Sequence, residues 1–297
     1  MTHVATLIST RGRPALDAAA IAIAVGVLAT AQDARVLDPG IAADIPFTPG
    51  SADDKAITER LRAALKDRPL DVVVQPAETR RKRLLVADMD STMIGQECID
   101  ELADYVGLKA HVAAITERAM RGEIAFEPAL RERVALLKGL PLSAVDEVIK
   151  NRITLTPGGS ALVNTMRRSG AYTCLVSGGF TVFTNRIAAM IGFDENRANT
   201  LLADADELSG RVAEPILGRE AKLATLLELR ERLRLGAAET LAVGDGANDL
   251  AMVEAAGLGV AYHAKPKVAE AAQARIDHGD LTALLYAQGY ARTDFLE

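Results

Sequence analysis

Residues 84–92 read LLVADMDST, an apolar run that ends abruptly in two aspartates, Asp88 and Asp90. The apolar run predicts a strand that is buried on both faces. Two carboxylates at the end of such a strand are costly unless a cation or hydrogen bonds compensate their charge. A hard divalent cation with oxygen ligands is the natural partner. Taken alone, the D-x-D pattern fits an exposed turn with two solvated acids about equally well.

The same arrangement recurs further along the chain. Apolar segments at 172–176 and 240–243 run into the polar motifs SGGF (177–180) and GDGAND (244–249), and another apolar segment covers 258–262. Because helical sequence separates these segments, the pattern predicts a Rossmann-like parallel sheet with helices on both faces. Ligands bind beyond the carboxyl ends of the strands in such sheets, and all three polar motifs fall there.

Each of these motifs also has an ordinary interpretation. The SGGF segment offers a hydroxyl and bare backbone N–H groups that suit an anion, but it also fits a simple turn. The GDGAND segment supplies Asp245 and Asp249 between flexible glycines, and the same residue types can cap a helix. It lacks the third glycine of a dinucleotide-binding fingerprint, which excludes that interpretation. Lys222 is an isolated lysine on a predicted helix, so its meaning depends on the other motifs.

Residues 1–80 follow a different pattern. Strands are predicted at 4–8, 34–37, 41–47 and 70–74, with helices between them, which is the ferredoxin-like βαββαβ order. The second helix is predicted to open at Ser51 with a capping box, and Pro46 places its strand at a sheet edge. The apolar run 18–31 is too short to span a membrane. It has features of a signal peptide, but we expect a buried helix.

Composition narrows the function classes. The chain has 297 residues, 49% of them hydrophobic and 25% charged, as in a soluble globular protein with its own core. A net charge of −6 argues against nucleic-acid binding. The basic run 80–83 is interpreted as a solvated linker between domains at 1–80 and 81–297. Two cysteines and four scattered histidines give neither a disulfide framework nor zinc-ligand spacing.

The four motifs are weak evidence individually, but their order along the chain is strong evidence for a family. The succession DMDST, SGGF, Lys222 and GDGAND resembles the haloacid-dehalogenase-like phosphatases, and over residues 84–285 the chain is similar to the phosphoserine phosphatases among them. Glu97, nine positions after Asp88, and a segment containing Phe126 and Arg133 match substrate-recognising positions of that family. The N-terminal unit resembles the ACT-like domain of some members.

The resemblance implies hydrolysis of O-phosphoserine to serine and phosphate, the last step of serine biosynthesis, with Mg²⁺ as the cofactor. It implies Asp88 as the nucleophile that forms an aspartyl-phosphate and Asp90 as the general acid and base. It also implies metal ligands and substrate contacts. The metal would be held by Asp88, Asp90 and Asp245 with Asp249 in support, and the substrate by Glu97, Phe126, Arg133, Ser177, Gly178, Lys222 and Asn248.

We also expect a lid over the site, and the sequence leaves alternative functions open. Asp90 can donate a proton at neutral pH only in a closed, desolvated site, so a lid is predicted in the strand-free helical insert at 96–155. Three alternatives stay open: a phosphatase of another small ester, a phosphotransferase to an amino-acid hydroxyl, and an amino-acid-sensing binding protein. We expect a cytoplasmic enzyme with a small-molecule substrate and with no nucleic-acid or membrane partner. The sequence leaves a homodimer open.

Overall fold

The structure is a computed structural model that describes residues 1–120 and 123–297. Residues 121–122, which belong to the predicted helical insert, lie outside this description. The described chain forms an antiparallel four-stranded sheet, a parallel six-stranded sheet and a two-stranded hairpin. In chain order the elements are β1 His3–Ser9, α1 Ala18–Val27, β2 Arg35–Asp38, β3 Ala42–Phe47, α2 Asp54–Ala64, β4 Leu70–Pro76, β5 Leu84–Asp88, α3 Cys98–Tyr105, α4 Lys109–Met120, α5 Phe126–Ala135, α6 Ser143–Arg152, α7 Gly159–Arg168, β6 Tyr172–Phe180, α8 Thr181–Ile191, β7 Glu195–Asn199, β8 Leu201–Asp204, β9 Glu207–Val212, α9 Arg219–Arg232, β10 Thr240–Gly244, α10 Leu250–Ala255, β11 Leu258–Tyr262, α11 Pro266–Ala271, β12 Ala274–Ile276 and α12 Ala283–Ala287.

The N-terminal unit, β1 to β4 with α1 and α2, has the predicted ferredoxin-like topology. Its strands lie in the order β2-β3-β1-β4, and every pair is antiparallel. Helix α1 begins after Asp17, whose carboxylate accepts the backbone N–H of Ala20. The apolar run therefore does form a helix, but not the fully buried one that was predicted: Ala20 and Ala24 face the core of this unit, whereas Ile23 is exposed. No helix within the described ranges is long and apolar enough to cross a membrane.

Two details of this unit differ from the prediction. The second helix begins after Asp53 and not at Ser51, because the Asp53 carboxylate accepts a backbone N–H of the first turn. Strand β3 lies inside the sheet although it contains Pro46, which was predicted to mark an edge. Strand β2 pairs with β3 only as far as Arg35, opposite Asp44. Pro46 is opposite Val4 of β1 but lies beyond the stretch that pairs with β2, so no N–H is required on that side.

The parallel sheet has the order β12-β11-β10-β5-β6-β7. Strand β5 lies between β10 and β6, so the carboxyl ends of the three strands that carry polar motifs meet at one edge. The sequence predicts four of the six strands. It misses β7, which reads ENRAN and looks polar, and β12, which has three residues. The two missed strands lie at the edges of the sheet, where less apolar sequence is needed.

Helices α3 to α6 of the described chain lie in the insert between β5 and α7, which we call the cap; the sequence places a lid at 96–155, and this role stays a prediction. The hairpin of β8 and β9, which the sequence did not predict, packs against α5. The backbone N–H of Gly139 donates to the Leu208 carbonyl over 2.8 Å, which ties the end of α5 to the hairpin. The cap is therefore attached to the sheet at both of its ends and supported by the hairpin.

The interpretation of residues 80–83 as a solvated linker was wrong. Arg80 pairs with the buried Asp44 over 2.6 Å and also donates to the Ala287 carbonyl. Lys82 is buried, and Arg81 lies over an aromatic ring at 3.6 Å from its centroid. The N-terminal sheet and α12 thus supply the acceptors of Arg80, whereas Lys82 donates to the carbonyls of Thr79 and Ala238. The division into domains at residue 80 stays a prediction.

A second contact joins the N-terminal unit to the parallel sheet. Buried Asp71 on β4 accepts backbone N–H groups from three successive residues after β12. The N–O distances to Asp277 and Gly279 are 2.7 Å, and His278 donates at 3.2 Å. One carboxylate of the N-terminal unit therefore fixes the backbone of a loop in the other part of the chain.

Candidate active site

A cleft of about 520 Å³ lies between the cap and the carboxyl ends of β10, β5 and β6. Its location follows from the topology, because polar motifs on three neighbouring strands must converge at this edge. Nine of the residues selected from the sequence line it: Asp88, Asp90, Glu97, Phe126, Arg133, Ser177, Gly178, Asp245 and Asn248. Lys222 and Asp249 lie directly behind Asp88, where both are almost completely buried.

Asp88 and Lys222 form a buried ion pair at the base of the cleft. The Lys222 Nζ atom lies 2.6 Å from Asp88 Oδ1 and 2.6 Å from Asp249 Oδ1. Burial and repulsion from Asp249 raise the pKa of Asp88 well above its usual range, although Lys222 opposes this. Burial alone would lower the pKa of Lys222, but the two carboxylates more than offset this, so the pKa lies above its usual value. Lys222 is therefore a permanent cation that holds Asp88 in place.

The carboxylates of Asp88, Asp245 and Asp249 fit a divalent cation. One oxygen from each lies within 4.8 Å of the others. Burial and the charge of Asp249 also raise the pKa of Asp245, although Lys265 and Lys222 oppose this. Within the described part of the chain, three carboxylates share the single cation that pairs with them, Lys222, so the cluster keeps an excess of negative charge. Gly244 is required nearby, because a Cβ there would lie 2.4 Å from the Asp249 carboxyl carbon. The oxygen donors and the charge both suit Mg²⁺.

Asp90 lies between the cap and strand β6. Its Oδ1 accepts the backbone N–H of Cys98 over 2.9 Å, at the start of α3. Its Oδ2 accepts the Ser177 hydroxyl over 3.0 Å. The Ser177 oxygen in turn accepts the Gly179 N–H over 2.8 Å. These contacts aim the Asp90 carboxylate at the same space as Asp88, where it can exchange a proton with a bound molecule.

The sequence did not identify Asn199, which supports the SGGF segment. Its amide nitrogen donates to the carbonyls of Gly178 and Leu217, at 2.9 and 3.1 Å, and its oxygen accepts the Leu217 N–H. It is buried at the end of β7. Asn199 could have been found as a polar residue at the carboxyl end of a strand, but the sequence did not predict β7. The sequence also missed Lys265, which lines the cleft beside Asp245.

The cap contributes a carboxylate to the cleft. Glu97 accepts the Ser91 hydroxyl over 2.9 Å. Burial, followed by repulsion from Asp90, raises the pKa of Glu97 to about 7. This carboxyl would gain a partner if a cationic group entered the cleft.

Arg133 faces the cleft from α5. Its only side-chain partner within the described residues is the hydroxyl of Thr116, at 3.5 Å, and its Nε donates to the Ala129 carbonyl. No carboxylate of the described chain lies within ion-pair distance of it. Burial lowers the pKa of Arg133, and the negative charge of Asp100 opposes this. Arg133 therefore has guanidinium donors available for a ligand in the cleft.

Phe126 is exposed, yet its ring lies close to two glycines, Gly178 in the cleft and Gly218 at the start of α9. Its ring is 3.8 Å from where a Cβ on Gly178 would be, and 3.7 Å from the same position on Gly218. A larger residue at either glycine would meet the ring. Phe126 is therefore placed to cover a molecule bound beside Ser177.

The sequence profile of haloacid dehalogenase-like hydrolases matches residues 85–254, which include every motif at this edge of the sheet. The chain belongs to this family. The phosphoserine phosphatase of Polaromonas sp. is 48% identical over 208 residues, covering 68% of this chain and 88% of the relative. The resemblance found in the sequence is confirmed by such relatives.

Solved structures of the family have the same fold. A family hydrolase from Salmonella enterica serovar Typhi superposes with a TM-score of 0.85 at 28% identity, covering 98% of this chain and 99% of that one. The N-terminal unit therefore has a counterpart there. A structure described as a phospho-aspartyl intermediate analogue of phosphoserine phosphatase has a TM-score of 0.63 at 39% identity, covering 69% of this chain and 98% of that one.

Proposed function

We propose that this enzyme hydrolyses O-phosphoserine to serine and inorganic phosphate through an aspartyl-phosphate on Asp88. The observation that carries the proposal is the combination of groups in one cleft. Asp88 and Asp90 lie at its base, and Glu97 and Arg133 face it from the cap. These groups match the phosphate, ammonium and carboxylate of phosphoserine. Relatives named phosphoserine phosphatase support the same substrate.

The reaction has two steps, and each forms one bond to phosphorus as another breaks. In the first, an Asp88 oxygen attacks phosphorus, the bond to the serine oxygen breaks, and Asp90 gives that oxygen a proton. In the second, water attacks the phosphorus of the aspartyl-phosphate and Asp90 takes back a proton. The bond to Asp88 breaks, and phosphate leaves. The contact of Asp90 with Ser177 keeps it beside the transferred group.

The residues around Asp88 would hold both the metal and the phosphoryl group. Mg²⁺ would be held by the carboxylates of Asp88 and Asp245 and the backbone carbonyl of Asp90, with Asp249 in support. When bound, it offsets the repulsion between a carboxylate and a phosphate dianion. We assign contacts with the phosphoryl oxygens to the remaining polar groups at this edge, namely Ser177, the Gly178 N–H, Lys222 and Asn248.

The cap would select the serine part of the substrate. Glu97 is assigned to the ammonium and Arg133 to the carboxylate, because the planar guanidinium can bind both carboxylate oxygens. Phe126 would cover the bound ester and limit the access of water that could attack phosphorus in place of Asp88 in the first step. The cap therefore decides which ester is accepted, and the sheet edge performs the chemistry.

Phosphate release from matched esters tests this assignment. Phosphoethanolamine lacks the carboxylate of phosphoserine, and phosphoglycerate has a hydroxyl in place of the ammonium. If Arg133 and Glu97 bind these groups, kcat/KM for each should fall about 10- to 150-fold, as for a lost charged hydrogen bond. Equal turnover of the three esters would refute the assignment of phosphoserine as the substrate. Near-normal turnover by Asp88→Asn, or in EDTA, would refute the mechanism.

A further inference from the structure

A second cavity, of about 380 Å³, lies far along the sheet from the active-site motifs. Helix α2 of the N-terminal unit forms one wall, and α11 and β12 form the other. Five charged side chains line it: Lys55, Glu59, Arg62, Glu270 and Arg275. None of them lines the catalytic cleft. Among these lining residues the cations outnumber the acids by one, and Asp277, which does not line the cavity, lies 2.8 Å from Arg275.

Arg62 has an unsatisfied donor in this cavity. Its Nη1 pairs with Glu59 over 2.9 Å, but its Nη2 is buried and has no hydrogen-bond partner among the residues that the structure describes. The side chain is only 16% exposed. A buried donor without a partner is unfavourable, and a charged one more so. The cavity therefore contains a guanidinium group with an unused N–H.

Arg275 brings a second guanidinium to the same space. Its Nε lies 2.8 Å from an Asp277 oxygen but is not aligned for a hydrogen bond. After burial, repulsion from Arg275 is the largest cause that lowers the pKa of Arg62. Lys55 adds a third cation, whose Nζ donates to the Glu270 carbonyl and has two hydrogens left. Three cations converge here, and three acids lie close to them: Glu59 and Glu270 in the lining, and Asp277 beside Arg275.

We propose that this cavity binds a small oxyanion, with a phosphate or carboxylate group held by Arg62, Arg275 and Lys55. Guanidinium groups match such oxygens in geometry as well as in charge. An oxyanion would satisfy the unused Arg62 donor and remove the repulsion between the two arginines. Glu59 and Glu270 restrict the site to ligands that carry little further negative charge. The bound ion would contact both the N-terminal unit and the parallel sheet.

Thermal unfolding of the full-length protein in EDTA tests the site apart from catalysis. Inorganic phosphate and acetate are added separately at constant ionic strength, with wild type, Arg62→Gln, Arg275→Gln and Arg168→Gln. The last variant is the matched control, because Arg168 is an exposed arginine remote from the cavity. We expect the anion to raise the midpoint of wild type and Arg168→Gln, and at least half of that shift to be lost in both cavity variants.

The two anions identify the ligand class. Phosphate is also the product of the proposed reaction and can bind the catalytic cleft, so only the part of a shift that is lost in both cavity variants counts. A loss seen with phosphate alone assigns a phosphate group, and a loss seen with acetate alone assigns a carboxylate. Crystals soaked in selenate provide a readout that does not depend on the stability of any variant, and an anomalous peak between Arg62 and Arg275 is expected. The absence of that peak, or equal shifts in all four proteins, would overturn the proposal. Because no substrate is turned over, a wrong substrate assignment would leave these results unchanged.

Discussion

Replacing Lys222 by methionine removes the cation that separates two buried carboxylates. Lys222 is 2% exposed, and its Nζ lies 2.6 Å from both Asp88 and Asp249. Removing one partner of a buried ion pair costs about 3–5 kcal/mol, because the remaining charge is left uncompensated. Domains of this kind unfold with a free energy of about 5–15 kcal/mol, so the loss is readily measured. We expect a decrease of about 3–5 kcal/mol in urea unfolding in EDTA at pH 8.

The loss should depend on pH with a definite sign. Lys222 itself stays protonated between pH 5 and 8, because its pKa is raised in the fold. The pKa of Asp88 is already raised by burial and by Asp249, and it should rise further without Lys222. A carboxyl with a raised pKa destabilises the fold increasingly as pH rises above its value in the unfolded chain. The penalty of Lys222→Met should therefore be smaller at pH 5 than at pH 8.

Lys82→Met is the matched control, because Lys82 is also buried but has no carboxylate partner among the described residues. Its Nζ donates to the Thr79 and Ala238 carbonyls, and burial lowers its pKa to about 8. Its charged form is therefore disfavoured by the fold below pH 8, and its removal should cost much less than the removal of Lys222. A loss below about 1 kcal/mol for Lys222→Met, or one that is no larger at pH 8 than at pH 5, would refute the reasoning.

Two further predictions concern Glu97 of the cap and the contact of Arg80 with the N-terminal unit. Because the pKa of Glu97 is raised to about 7, its carboxylate is lost at lower pH, and KM for phosphoserine should rise up to tenfold per unit below pH 7. Initial rates across pH 5–8 check this, and the same rise in Glu97→Gln would exclude Glu97 as its cause. Arg80→Ala leaves Asp44 buried without its partner and should lower the free energy of unfolding by about 3 kcal/mol. Arg83→Ala breaks an exposed pair and should lower it by less than about 1 kcal/mol, so similar values would count against a structural role for Arg80.

The residues at the strand ends could be predicted because three sequence motifs each follow an apolar strand and all three belong to the same edge of the sheet. Each apolar strand runs into a polar motif, and a parallel sheet must bring such ends together. Asp88, Ser177 and Asp245 therefore meet, as expected. The cap residues were harder, since Glu97 and Arg133 look like members of any solvated helix face. Only the resemblance to a family singled them out.

What the sequence missed depends on contacts between distant segments. Strand β7 reads as polar, so Asn199 had no recognisable place beside the SGGF segment. The basic run at 80–83 looks like a linker because its acceptors, Asp44 and the end of α12, lie far away in the chain. The Arg62 cavity likewise needs α2 and β12 to be brought together. The composition of one segment does not indicate which distant segment it contacts in the fold.

The contact of Asp71 with the loop after β12 bears on how freely the two parts of this chain can be recombined. Three backbone N–H groups of that loop depend on a single carboxylate in the N-terminal unit. A chimera that exchanges this unit for another must therefore carry an acidic residue at the position of Asp71, or the loop loses its acceptors. A truncated chain that begins between β4 and β5 has the same defect. Compatibility of the two parts thus depends in part on a side chain that lies outside both the catalytic cleft and the segment that connects them.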